Sequence, residues 1–225
     1  MNTAKIIAIT DPLITNDGGF QISVDEFIAY VARVSNPSNQ HNNLTANKLL
    51  RFLAKNKHWS PFEMVNVVME INTTRDIARQ ILRHRSFSFQ EFSQRYADPT
   101  KDLGFATREA RLQDQKNRQN SIETDDKNIQ SAWNNIQDEN IKRAQLEYEW
   151  AIGVGIAKEQ ARAVLPEGLT ISRLYMNGTL RSWIHYCQIR TGVGTQKEHR
   201  DIALDAWYEI VRIFPSLKDT LDIGV

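Results

Sequence analysis

The sequence predicts an α+β fold, a single domain of mainly antiparallel sheet packed with helices. Three observations carry this. Over residues 64–72 apolar and polar side chains alternate: Val65, Val67, Met69 and Ile71 face one way, Asn66, Glu70 and Asn72 the other, which is the period of a half-buried strand. Several later stretches repeat every three to four residues, the period of a helix. No Gly-x-Gly-x-x-Gly follows a strand and no Walker-type loop occurs, so a Rossmann unit is not indicated.

Composition sets the outer bounds. The chain has 225 residues, 41% hydrophobic and 24% charged, the balance of a globular protein with a real core. Its formal net charge is +1, so no global field draws it to nucleic acid or anionic membrane, and anion binding must come from local clustering. The single cysteine, Cys187, excludes an internal disulfide and a cysteine-rich metal site and points to a reducing, cytoplasmic compartment. The apolar run 6–9 is too short for the core of a signal peptide, and no stretch approaches the roughly 18 apolar residues of a membrane span.

The elements follow in order. Residues 5–10 read as a strand closed by Asp11-Pro12, and 24–34 as a helix. Residues 44–55 form a second helix with Leu49, Leu50 and Leu53 on one face and Thr45 as its N-cap. Pro61 makes 58–63 irregular before the strand at 64–72. Residues 74–84 form a helix with Ile77, Ala78, Ile81 and Leu82 as its apolar stripe. Residues 97–126 are polar and aperiodic, richest in Gln, Asn, Lys and Asp over 113–126, and read as a mobile loop or insertion. Helical period returns over 129–152 and again over 156–164. Residues 169–176 are a candidate strand followed by an Asn177-Gly178 turn. Residues 179–190 form a helix with Leu180, Trp183, Ile184 and Cys187 inward, and Arg181 and His185 together on another face. Residues 197–214 are the last helix.

Chemistry concentrates in residues 83–95, Arg-His-Arg-Ser-Phe-Ser-Phe-Gln-Glu-Phe-Ser-Gln-Arg. Burying such charge without partners costs several kcal/mol or more, and an ordinary surface has little use for three phenylalanines. The economical reading is a pocket wall, with cations and hydroxyls aimed at an anionic, planar ligand and rings packed behind it. The alternative is surface ion pairing with the nearly equal number of acids. Arg162 and Arg190 each end a helix, where a cation also serves the macrodipole. His58, His84, His185 and His199 have no metal-site spacing, so no metal is assigned; they donate to a ligand or make structural hydrogen bonds. Cys187 sits at a core position and reads as a small hydrophobe before a nucleophile. Ser88 and Ser93 lack a visible triad. An RNA-binding stacking platform and a ligand-free assembly protein remain the rival classes, the former disfavoured by the charge.

Arg83-His84-Arg85, Ser88, Ser93 and Arg95 match the signature Arg-His-Arg-x-x-Ser-x-x-x-x-Ser-x-Arg at every specified position, and on it the chain resembles the flavin-dependent thymidylate synthases. His58-Trp-Ser-Pro-Phe-Glu63, Ala78-Arg-Gln80, Ala161-Arg-Ala-Val-Leu-Pro166 and Arg181-Ser-Trp-Ile-His185 with Arg190 are similar to further family segments and stand in the family's order. The resemblance implies reductive methylation of dUMP to dTMP, with methylenetetrahydrofolate as carbon donor and NADPH-reduced FAD as hydride source. It implies an oligomeric flavin-binding fold, a homotetramer with FAD sites at subunit interfaces. It implies a dUMP site of Gln80, Ile81, Leu82, Arg83, Glu91, Phe92, Ser93, Gln94, Arg95, Arg162 and Arg190, with Ser93 and Arg95 near the phosphate. It implies that Arg190 is the catalytic residue, placed beside the uracil ring to favour ionisation at N3. It implies an FAD site of Ser60, Arg83, His84, Arg85, Glu91, Thr179, Arg181 and His185. Counted back from Arg190, Thr179 takes the place of a family asparagine, and either Asn177 or Thr179 meets the FAD.

Overall fold

The computed structural model describes residues 2–218, 220, 221 and 223. Its centre is a four-stranded antiparallel sheet built from β1 (Thr3–Ile9), β2 (Asn66–Thr74), β3 (Ser88–Glu91) and β6 (Ile171–Thr179), in the order β1-β2-β6-β3. The α+β class read from the sequence is the class observed.

The alternation at 64–72 decides which face of β2 goes inward. Val67, Met69 and Ile71 are fully buried and pair across the ladder with Gly178, Met176 and Leu174 of β6. A one-residue slip would turn every one of these side chains to the other face, so the pattern fixes the register. Helices α1 (Val24–Ala32), α2 (Ala46–Lys55), α7 (Leu180–Arg190) and α8 (Lys197–Ile213) cover that face. Leu50 and Leu53 of α2 and Leu180, Trp183, Ile184 and Cys187 of α7 point into this core as the periodicity predicts. The Trp183 indole donates to the Val67 carbonyl at 3.0 Å, so the largest core side chain also has its polar atom satisfied. Helix α3 (Arg75–Ile81) follows β2 directly, burying Ile77, Ala78 and Ile81, and hands the chain to residues 83–95.

Two expectations are corrected. The Asn177-Gly178 pair is not a turn: β6 runs straight through it to Thr179. Gly178 is there for a packing reason. An added Cβ would lie 2.6 Å from Phe87 Cε1 and nearer still to Cδ1, so the missing side chain makes room for the ring. Thr179 then caps α7, its hydroxyl oxygen accepting from the Ser182 N–H at 3.2 Å. The stretch 97–126, read as a loop, contains α4 (Pro99–Asp102) and a hairpin of β4 (Arg111–Gln113) and β5 (Ser121–Glu123). Polar contacts hold it. The side chain of Gln137, on α5 (Lys127–Gly153), accepts from the Arg108 N–H at 2.8 Å and donates to the Arg108 carbonyl at 2.9 Å. The Arg108 side chain donates to Asp76 and Thr74, both at 2.6 Å. Apolar periodicity cannot signal a segment fixed in this way.

The short helix α6 (Lys158–Ala161) leads through a 3-10 turn at Arg162–Val164 into β6. Replacing Gly178 with alanine is expected to destabilise the protein by about 1–3 kcal/mol through overpacking against Phe87. Urea denaturation measures it; an unchanged midpoint would show that the ring does not need the space.

Candidate active site

The arginine-rich segment leaves α3 through a tight turn. The His84 N–H donates to the Ile81 carbonyl at 3.0 Å, and β3 then adds the chain to the edge of the sheet beside β6. The turn places His84 against the C-terminal end of α7, where Arg190 Nε donates to His84 Nε2 at 3.0 Å. An imidazole nitrogen that accepts carries no proton, so His84 is neutral with its hydrogen on Nδ1. Burial, then the positive charges of Arg190, His185 and Arg83, hold its pKa down at about 4. Four basic side chains of the expected site therefore converge here.

Behind His84 stands an aromatic wall. Its ring meets Tyr186 edge-on at 5.0 Å, and Phe87 meets Trp183 edge-on at 4.9 Å. Tyr186 and His199 are both fully buried. A directed string of hydrogen bonds runs through them. The Glu198 carboxylate accepts from Gln196 Nε2 at 2.9 Å and from Arg111. Gln196 Oε1 accepts from Gln80 Nε2 at 2.8 Å. Gln80 Oε1 then faces His199 Nδ1 at 3.2 Å, and His199 Nε2 faces the Tyr186 hydroxyl at 3.1 Å. An ionised carboxylate only accepts, so every amide in the string has one orientation: His199 donates from Nδ1, and Tyr186 donates to its Nε2. Burial first, then Arg190 and His84, hold the His199 pKa at about 3.

A second group forms at Glu159. Arg95 pairs with its carboxylate at 3.5 Å, and Arg162 Nε donates to its backbone carbonyl at 3.2 Å, so these two arginines, far apart in sequence, meet. A third forms at Glu91, which accepts from the Ser172 hydroxyl at 2.8 Å and lies 3.7 Å from Arg75 and 3.5 Å from Arg79. Its carboxylate is engaged by the protein itself.

The other expected residues divide by exposure. Arg83 and Arg85 are exposed and make no ion pair among the described residues. Ser60 and His185 are exposed, and Arg181 is exposed but pairs with Glu63. Leu82, Phe92 and Ser93 are half-buried. Ile81 is fully buried in the core, so only its backbone is available to a ligand. Gln94 is 4% exposed and its Nε2 finds no hydrogen-bond partner, an orphaned donor beside Ser93 and Arg95. Asn177 is exposed, whereas the Thr179 hydroxyl is spent on the cap. Cys187 is fully buried and its thiol is pushed up by burial, as its core reading requires.

Sequence reasoning missed Tyr186, Gln196, Glu198 and the role of His199. The signal for His199 was present: its spacing to Ile202, Ala203, Ala206 and Ile210 puts it on the buried stripe of α8, where a polar group needs partners.

Comparison with known proteins shows the family. The family model described as "Thymidylate synthase complementing protein" matches residues 21–216. The chain belongs to that family. Similar relatives carry the more particular description. A flavin-dependent thymidylate synthase of Synechocystis sp. is 48% identical over 218 residues, covering 97% of this chain and 98% of its own length. A probable flavin-dependent thymidylate synthase of Paramecium bursaria Chlorella virus 1 is 45% identical over 220 residues, covering 98% and 99%. Among solved structures, the UMP/dUMP methylase PolB of Streptomyces cacaoi, bound with 5-Br dUMP, superposes with a TM-score of 0.74 at 23% identity, covering 96% of this chain and 94% of that one, a likeness of fold.

The two imidazoles make stability depend on pH. Unfolded, they take up protons near the ordinary 6.5; folded, they refuse them until about 4 and about 3. Their contribution is complete above about pH 6.5 and is lost as pH falls from there through about 4 for His84 and about 3 for His199, because the unfolded chain binds more protons. In His199→Asn the fall in unfolding free energy between about pH 6.5 and 4.5 is expected to be shallower than wild type by up to about 1.4 kcal/mol per pH unit. Parallel wild-type and variant curves would contradict this.

Proposed function

We propose that the protein is a flavin-dependent thymidylate synthase that methylates dUMP to dTMP, with methylenetetrahydrofolate as carbon donor and NADPH-reduced FAD as hydride source. One observation carries the reading: the family signature Arg-His-Arg…Ser…Arg forms a turn and edge strand that present unpaired guanidinium groups beside a neutral His84 held by Arg190. Relatives of the same length at 45% and 48% identity support it.

The residues present fit a flavin dinucleotide and a nucleotide. Arg83 and Arg85 offer donors to phosphate with no carboxylate paired to them among the described residues, and Gln94 keeps a buried amide hydrogen unspent. Arg83, His84, Arg85, Arg181 and His185, with Ser60 and Asn177 or Thr179, are the residues we assign to the FAD. When bound, the flavin is the source of hydride. We assign Gln80, Arg83, Phe92, Ser93, Gln94, Arg95, Arg162 and Arg190 to dUMP. Glu91 contributes to both by holding Arg75 and Arg79 under the segment.

Arg190 has a defined part. Its Nε is committed to His84, which fixes the guanidinium plane, and its terminal nitrogens have no protein partner among the described residues. A fixed cation beside the uracil ring stabilises negative charge developing on the pyrimidine without reorganising. Holding His84 neutral keeps that cation from being repelled.

We further propose one domain, in the cytoplasm, assembled as a homotetramer with FAD between subunits. Among the described residues no helix is long and apolar enough to cross a membrane. Supporting assembly, Leu146 and Trp150 near the end of α5 and Val154 just past it follow one another four residues apart and are 68%, 64% and 58% exposed. An apolar stripe of that width has no use in water.

Three measurements test the reading. The purified protein is expected to show the yellow absorbance of oxidised flavin, bleached by NADPH, and to release tritium from C5-labelled dUMP. Arg190→Ala is expected to keep the flavin and lose at least about 100-fold in kcat. Arg95→Ala is expected to raise the KM for dUMP by about 10-fold or more. A colourless protein without tritium release would overturn the assignment, and near wild-type turnover in Arg190→Ala would overturn the role of Arg190.

A further inference from the structure

A cavity lies away from the signature residues. It has a volume of about 660 Å³ and opens between the β4–β5 hairpin, the first turns of α5, the 193–196 loop and the start of α8. None of Arg83, Arg85, Arg95, Arg162 or Arg190 lines it. Five basic side chains face it against two carboxylates, Glu109 and Glu123, an excess of three positive charges in a chain whose net charge is +1. Lys197 is neutralised by those two glutamates, at 2.7 and 2.8 Å, and Arg108 by Asp76 at 2.6 Å. Arg118 and Arg200 pair with no carboxylate among the described residues, and Arg108 Nε has no hydrogen-bond partner.

Part of the lining is apolar. Ile129 and Trp133, one turn apart on α5, lie 41% and 40% exposed in the cavity lining. An inorganic anion needs no indole, and a neutral aromatic needs no guanidinium. The two parts of the lining together suit a planar ring joined to a chain of negative charges.

We infer that this cavity binds a nucleoside polyphosphate, the ring against Trp133 and the phosphates on Arg118 and Arg200. Arg118 and Arg200 are the cations open to the phosphates, because Asp76 and Glu198 already pair with Arg108 and Arg111. The site also borders the active-site string, because Gln196 lines the cavity and accepts from Gln80.

The test is binding, measured by calorimetry on the protein as purified, with ATP, tripolyphosphate and adenosine as probes at one fixed salt concentration. ATP is expected to bind saturably at one site per chain, tripolyphosphate about 5- to 100-fold more weakly, and adenosine not at all in that range. The double variant Arg118→Glu/Arg200→Glu, checked for an unchanged melting temperature, is expected to bind ATP at least 10-fold more weakly, and Trp133→Ala to bind it no better than tripolyphosphate. Arg83→Glu/Arg95→Glu is expected to bind ATP as wild type does. No saturable ATP binding, full binding in the Arg118/Arg200 variant, equal affinity for ATP and tripolyphosphate, or loss of binding in the Arg83/Arg95 variant would each overturn the assignment. None of these readouts needs turnover, so the outcome stands apart from the activity proposed above.

Discussion

A guanidinium donates to an imidazole nitrogen only while that nitrogen is bare. The bond from Arg190 to His84 therefore imposes a protonation state on the place where α3 ends and α7 ends. If His84 took a proton, Arg190 would face a cation at hydrogen-bond distance, with Arg83 and His185 close by. Everything around the site serves to prevent that. The buried Tyr186 and Phe87 rings lower the dielectric at one side of His84, and the surrounding cations do the rest. A charge-dense segment can sit here because its histidine is neutral and its arginines face outward.

The string from Glu198 through Gln196, Gln80 and His199 to Tyr186 extends this order into the core. It has one direction because it begins at a carboxylate. Arg111 of β4 anchors that carboxylate, while Gln137 of α5 clamps the backbone at Arg108. The hairpin is thus tied to the active-site helices by polar contacts on both sides. Burial pushes the Glu198 carboxyl up, but its own N–H, Arg111 and Gln196 outweigh this and it titrates below its ordinary value. Removing one member would leave a buried partner unsatisfied, which costs more than the bond itself contributes.

Much of the fold was legible because apolar burial is periodic. The strand at β2 and the inward faces of α2, α3 and α7 follow from spacing alone. Failures came where something other than apolar period decides. Asn177-Gly178 has the composition of a hairpin turn, but Phe87, ninety residues earlier, requires the glycine inside a strand. The hairpin at 111–123 is held through Arg108 and Arg111, which meet Gln137 of α5, Glu198 of α8 and Asp76 at the start of α3, and a polar sequence does not reveal such partners. For the site, residue types and spacing pointed to an arginine-rich wall. They did not show that Arg95 and Arg162 meet at Glu159, or that Glu91 is held by Arg75, Arg79 and Ser172.

The claim on which the rest stands is that His84 stays neutral while Arg190 points at it. Proton-coupled 15N NMR of imidazole-labelled protein at about pH 5.5, between the ordinary value and about 4, reads this directly. The account predicts one bare nitrogen, Nε2, and one protonated nitrogen, Nδ1, for His84. Protons on both nitrogens at that pH would mean that the Arg190 bond does not exist as described, and the arrangement built on it would fail.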